Sequence, residues 1–294
     1  MHKFVFHNDR LLPLEQVRLS PGQAGLLNGW GLFTTLRIYD GLPFALERHW
    51  ERLVRDAARI QLPVPVTLEA ARRHVGELLQ ANQVGTGCLR IYFVYNKIGI
   101  WGSKEPFPVT DFLMYTTDLP QRVGPTRLAV QEHGRHAAHP LTGTKTISWL
   151  NNVWMVEQAH QRGFEDVILL NERGQVAECT AANVYCVKDG KVATPPLESG
   201  CLAGVSREIL LEISTPAGLP IREQALTLDE LYAADEVFIS STTRQVQPVS
   251  HIENRAFSQA PGPLTQRYAK LFSDYVSRYF EQARSREVAA QSSV

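Results

Sequence analysis

The sequence predicts an α+β protein built as two mixed α/β domains. Three observations carry this expectation. Alternating strand patterns and 3.6-period helical patterns occur in both halves of the chain. A short polar stretch holding Pro120, Gly124 and Pro125 separates the halves as a linker would. A length of 294 residues suits two domains that share one site. The expected division is an N-terminal domain over 1–118, a linker over 119–126, a C-terminal domain over 127–283 and a frayed polar tail over 284–294.

The elements follow in order. MHKFVFHNDRLLP alternates as an edge strand does, with a strand near Lys3 to His7. A hairpin spans about Leu32 to Leu46 and turns at Asp40-Gly41, a pair typical of tight hairpin turns. Helical patterns cover Glu47 to Ile60 and, behind the cap Thr67, Leu68 to Ala81. Strands resume at Leu89 to Tyr95 and Asp111 to Thr117. Beyond the linker come a strand near Arg127 to Val130, a helix after Lys145, β-rich segments from Val167 to Val192 and a helix starting at Gly204. Thr227 to Glu230 has the form of a capping box and opens a short helix. A strand at Glu236 to Ser240 and a long helix from Pro263 to about Gln282 complete the chain. No fixed-period repeat is present.

Composition excludes several function classes. A formal net charge of zero, with no basic run, argues against a general affinity for nucleic acid or acidic membrane. No apolar run reaches membrane length and the N-terminus lacks a signal-peptide core, so a cytoplasmic location is expected. Cys88, Cys179, Cys186 and Cys201 show no CxxC spacing, which points to reduced thiols. His133, His136 and His139 recur every third residue, but without a carboxylate pattern they read as a solvated or site-flanking loop, and no metal is expected.

Two stretches carry chemistry. In GTKTISWLNNV, Lys145 is the only lysine between Lys104 and Lys188, and it stands at the entrance of an apolar helical pattern (Ile147, Leu150, Val153, Trp154). In VAECTAANVY, Glu178 interrupts a β-rich run, where a carboxylate is costly unless a cation meets it. An amine paired with such a carboxylate suits a Schiff-base enzyme whose carboxylate keeps a ring nitrogen protonated. Taken alone, the two residues read first as a surface lysine and a salt-bridged glutamate, since lysines are usually solvated. Gly204-Val205-Ser206 starts a helix whose amides and dipole favour an anion; Arg52 can add a bidentate contact and Thr242 a hydroxyl. By itself Arg52 is also a plausible solvated helix residue.

Around these residues the chain resembles the class IV aminotransferase family, the fold type IV pyridoxal phosphate enzymes. That family includes branched-chain aminotransferases, D-amino-acid transaminases and aminodeoxychorismate lyase. The marks run in order: GWGLFTTLRIYDG, HWERL, GTK, VAECTAAN, CLAGVSRE and ADEVFISSTTRQVQPV. The resemblance implies pyridoxal 5'-phosphate held between the two domains and a homodimer. It implies a Schiff base on Lys145, Glu178 at the pyridine nitrogen and Leu202 under the ring. Arg52, Val205, Ser206 and Thr242 would hold the phosphate, with Ser241 and Asn183 in the adjoining cofactor loops. The implied reaction is transamination between a small amino acid and a 2-oxo acid. Lys145, released by the substrate amine, then serves as the base at the α-carbon, which requires a neutral amine.

Subfamily marks disagree. Leu150 stands five positions after the lysine, where branched-chain enzymes usually place tyrosine. ECTAAN and FTTLR look like the lyase, which would form 4-aminobenzoate and pyruvate. SSTTRQVQPV looks like the transaminases, although Phe33 stands where the D-amino-acid enzymes usually have tyrosine. Phe33, Arg90 and Lys97 are the candidate substrate contacts, the two cations being either carboxylate partners or structural strand charges. Trp30, Phe33, Trp101 and Trp149 serve either a pocket or the core. A non-catalytic pyridoxal phosphate carrier is the alternative from outside enzymology, and the intact Lys145 and Glu178 disfavour it.

Overall fold

The computed structural model describes residues 1–96 and 108–291. It divides into two compact units, one of residues 1–122 with 143–153, the other of 123–142 with 154–294. The stretch carrying Lys145, although it follows the linker in sequence, therefore belongs to the first unit.

The first unit contains β1 (Phe4–His7), β2 (Arg10–Pro13), α1 (Ala24–Asn28), β3 (Gly31–Tyr39), β4 (Leu42–Pro43), α2 (Leu46–Arg59), α3 (Leu68–Asn82), β5 (Gly87–Tyr95) and β6 (Thr110–Thr117). Its sheet has the order β2-β1-β6-β5-β3-β4 and is antiparallel throughout. β1 and β2 form a hairpin, so the outer strand is β2. Alternation sends Leu32, Leu36 and Ile38 of β3 and Leu89, Ile91 and Phe93 of β5 into a core with Trp50 and Leu53 of α2 and Val75 and Leu78 of α3. Thr67 caps α3 by accepting the Ala70 N–H at 3.2 Å.

The second unit contains β7 (Thr126–Gln131), most of α4 (Leu150–Gln161), β8 (Asp166–Leu170), β9 (Val176–Cys179), β10 (Asn183–Lys188), β11 (Lys191–Thr194), α5 (Val205–Ser214), β12 (Ile221–Glu223), α6 (Leu228–Tyr232), β13 (Glu236–Ser241), β14 (Gln245–Ile252), β15 (Arg255–Ala256) and α7 (Pro263–Gln291). Its sheet runs β12-β11-β10-β13-β14-β7-β8-β9, with β15 on β14. Both halves of the Thr227–Glu230 capping box are present at α6. Buried Glu236 accepts the Leu264 and Thr265 amides at 2.9 and 2.8 Å, fixing the start of α7. That helix continues to Gln291, past the position where sequence periodicity weakens.

The expected helix after Lys145 is displaced. It begins at Leu150, and Lys145 to Ile147 instead lie extended beside β3, with a bridge between Leu32 and Thr146. The apolar pattern Leu150, Val153 and Trp154 is exposed (78%, 44% and 58%), so it is not the core face. Buried Met155 and Ala159 pack instead with Phe164, Val167 and Leu169. No helix among the described residues is long and apolar enough to cross a membrane.

Candidate active site

The backbone of Lys145 is held on both sides of its Cα. Its carbonyl accepts the Phe33 N–H (3.1 Å), and its own N–H donates to Asp56 Oδ2 (3.0 Å). Ile147 N–H donates to the Gly31 carbonyl at 3.0 Å, so the segment adds to the start of β3 as a short antiparallel strand. Gly31 is what permits this approach, because a Cβ there would sit 2.8 Å from Ile147 Cδ1 and 2.6 Å from the Phe93 carbonyl. The Lys145 Nζ lies 4.5 Å from the centre of the Phe33 ring, which stacks on Tyr92 and meets Trp149 edge-on.

Helix α2 supplies the polar groups beside this segment. His49, Arg52 and Asp56 recur at helical spacing and are all buried. Arg52 Nη2 donates to Thr34 Oγ1 (3.0 Å), and the same hydroxyl shares a 2.8 Å hydrogen bond with His49 Nδ1. Burial, then the Arg52 and Lys145 charges, hold His49 well below the ordinary histidine range. It is therefore neutral at physiological pH.

A third cluster lies on the opposite face of the same sheet. Register places Arg90 against Tyr115 and Phe33 against Tyr92. Arg90 Nη1 donates to the Tyr92 hydroxyl (3.4 Å), and the Tyr92 and Tyr115 hydroxyls are 3.1 Å apart. Burial, with the Tyr92 hydrogen bond, pushes Tyr115 up to about 12. Lys97 and Trp101 lie outside the described residues. Trp30 is committed to packing: its indole N–H donates to the Ile60 carbonyl and its ring meets Tyr95.

The second unit carries the other expected residues. Glu178, 8% exposed at the end of β9, accepts the Leu202 N–H on Oε2 (3.0 Å) and pairs through Oε1 with Arg135 at 2.8 Å. Arg135 is the cation that a carboxylate in this strand demands. It escaped the sequence reading because it lies among the histidines of QEHGRHAAHP, and no spacing links that loop to β9. Asn183 opens β10 opposite Ser240, next to which β13 ends at Ser241 and Thr242 follows in a turn, and its Nδ2 donates to the Leu202 carbonyl (2.9 Å). A Cβ on Gly204 would lie 2.3 Å from Asn183 Oδ1, so a side chain here would displace the Asn183 amide. Bonding within α5 starts from Glu208 N–H to the Gly204 carbonyl, which leaves the Val205 and Ser206 amides without a partner inside the helix. Amides at a helix start, with a nearby hydroxyl strand end, are a donor set that fits a phosphate ester. Cys201, beside this turn, is pushed up to about 12 by burial and is an unreactive thiol.

Comparison with known proteins agrees with this chemistry. The family described as amino-transferase class IV matches residues 31–252. A D-alanine aminotransferase of Bacillus licheniformis is 30% identical over 268 residues, covering 89% of this chain and 93% of that protein. Another, from Listeria innocua, is 28% identical over 291 residues, covering 93% and 96%. Among solved structures, the branched-chain aminotransferase of Thermoproteus uzoniensis with norvaline superposes with a TM-score of 0.85 at 30% identity, covering 94% of this chain and 95% of that one.

Proposed function

The chain belongs to the class IV aminotransferase family, and we propose that Lys145 carries its pyridoxal 5'-phosphate while an amino group moves between a small amino acid and a 2-oxo acid. The observation that carries this reading is the immobilised Lys145 peptide, with a single flexible amine projecting over Phe33. Bound pyridoxal phosphate supplies a ring that accepts the electron pair left when the substrate loses its α-proton. Lys145 Nζ takes that proton and returns it. Glu178, oriented by the Leu202 amide and Arg135, keeps the pyridine nitrogen protonated, and Leu202 supports the ring. The Val205 and Ser206 amides, Thr242 and Arg52 hold the phosphate, with Asn183 and Ser241 ordering the turn beside it. Phe33 and Arg90, extended by the Tyr92 and Tyr115 hydroxyls, receive the substrate, and Lys97 is a further candidate cation.

The test is chemical. Borohydride reduction followed by peptide mapping should place the adduct on Lys145, and Lys145→Ala should abolish turnover with the fold retained. An adduct on Lys97 or Lys104 would defeat the assignment. Release of 4-aminobenzoate in place of a 2-oxo acid would move the protein to the lyase reading that ECTAAN suggests.

Two further properties join the proposal. Exposed Leu26 and Leu27 on α1 and Leu150 and Val153 on α4 support a homodimer, for which sedimentation equilibrium should return twice the chain mass. The four free, buried cysteines support a cytoplasmic setting, where thiols stay reduced.

A further inference from the structure

Asp56 stands apart from the other buried acids of this protein. Asp166 accepts hydrogen bonds from the Val167 and Thr180 amides and the Thr180 hydroxyl and pairs with Arg244; Glu236 accepts three at the start of α7. Those carboxylates are saturated, and each is explained by the turn or helix it ties down. Asp56 is 1% exposed, yet among the described residues its one side-chain hydrogen bond comes from the Lys145 N–H, 89 residues away. Its Oδ1 is buried with no hydrogen-bond partner among the described residues and forms an ion pair with Arg55 Nε at 3.6 Å. A buried acid left half satisfied weakens the fold at that point, and the one thing it secures is the lysine's peptide.

We propose that Asp56 is a positioning residue for Lys145. It rests on the reading that Lys145 carries the cofactor. During turnover the lysine side chain must leave its covalent bond, swing to the substrate α-carbon and return. A backbone pinned on one side of the Lys145 Cα by Phe33 and on the other by Asp56 lets the four-carbon stem move while Cα stays in place. Loss of the Asp56 pin frees the N–H side of that backbone and spreads the positions from which the amine reaches the α-proton. The damage falls on the chemical step more than on binding, because substrate and phosphate contacts lie on other residues.

The experiment compares Asp56→Ala, which removes the acceptor, with Asp56→Asn, which keeps one, in the cofactor-loaded enzyme. In Asp56→Ala, kcat should fall about tenfold or more with KM within about threefold, and the Lys145 amide should exchange hydrogen at least about tenfold faster while β5 amides keep their rates. Asp56→Asn should restore kcat and amide protection to within about threefold of wild type. Wild-type kcat and Lys145 exchange in a folded Asp56→Ala protein would overturn the proposal. Where Asp56→Ala fails to fold, Asp56→Asn decides alone: protection of the Lys145 amide with kcat kept supports the pin, and a large kcat loss despite that protection overturns it. Borohydride mapping of the wild type separates the two claims. An adduct away from Lys145 defeats the attachment reading, whereas an adduct on Lys145 with an unaffected Asp56→Ala variant defeats only the positioning role.

Discussion

Glu178 shows how much one side chain's environment decides. Its two oxygens are already engaged by the Leu202 amide and Arg135, so the carboxylate is oriented before any ligand arrives. Replacement by glutamine preserves size and one acceptor but removes the charge that is proposed to hold a ring nitrogen protonated. Glu178→Gln should therefore keep most of its cofactor, read by absorbance, while kcat falls by about 10²-fold or more. Near-normal transamination by that variant would refute the electrostatic role. The amide would also leave the half-buried Arg135 guanidinium without its anion, so a small drop in thermal midpoint is expected alongside.

At the scale of elements, the turn before α5 is the sharpest constraint. Leu202, Gly204 and Asn183 interlock: the asparagine donates to the Leu202 carbonyl and occupies the space that a side chain on Gly204 would need. Gly204→Ala must push the Asn183 amide aside and so break its hydrogen bond to the Leu202 carbonyl, which loosens the turn that leads into α5. Cofactor affinity should fall by about tenfold or more in a fluorescence titration, with excess pyridoxal phosphate restoring much of the rate, because phosphate contacts act equally in ground and transition states. Unchanged affinity would show that the α5 amides do not hold the phosphate. Helix α4 gives the complementary lesson. Its apolar pattern was visible, but periodicity alone does not say which stripe is covered, and the structure buries Met155 and Ala159 while leaving Leu150 and Trp154 exposed.

For the molecule as a whole, His49 links the site to stability. Its folded pKa lies below the unfolded value of about 6.5, so above that pH both states are neutral and nothing is lost. As pH falls below it, the unfolded chain gains a proton that the folded chain refuses, and stability declines by about 1.4 kcal/mol per pH unit until the folded group titrates. Thermal melts from pH 7.5 to 5.5 should therefore slope downward less steeply in His49→Gln than in wild type. Equal slopes would show that His49 takes up its proton as readily folded as unfolded.

The sequence by itself determined the family and the alternation of both sheets, and it singled out Lys145, Glu178 and the Gly204-Val205-Ser206 turn as candidates, because strand period, capping boxes and glycine turns are local properties of the chain. The Thr67 cap and the Asp40-Gly41 hairpin were legible for the same reason. Asp56, His49 and Arg135 were not. Each owes its role to a partner brought close only by folding, Lys145 lying 89 residues from Asp56 and Glu178 lying in another strand from the Arg135 loop. Only the tertiary structure decided that Lys145 sits in an extended segment beside β3 within the first unit, since pairing along a sheet edge depends on which strand end is left unpaired and not on any pattern within the paired residues.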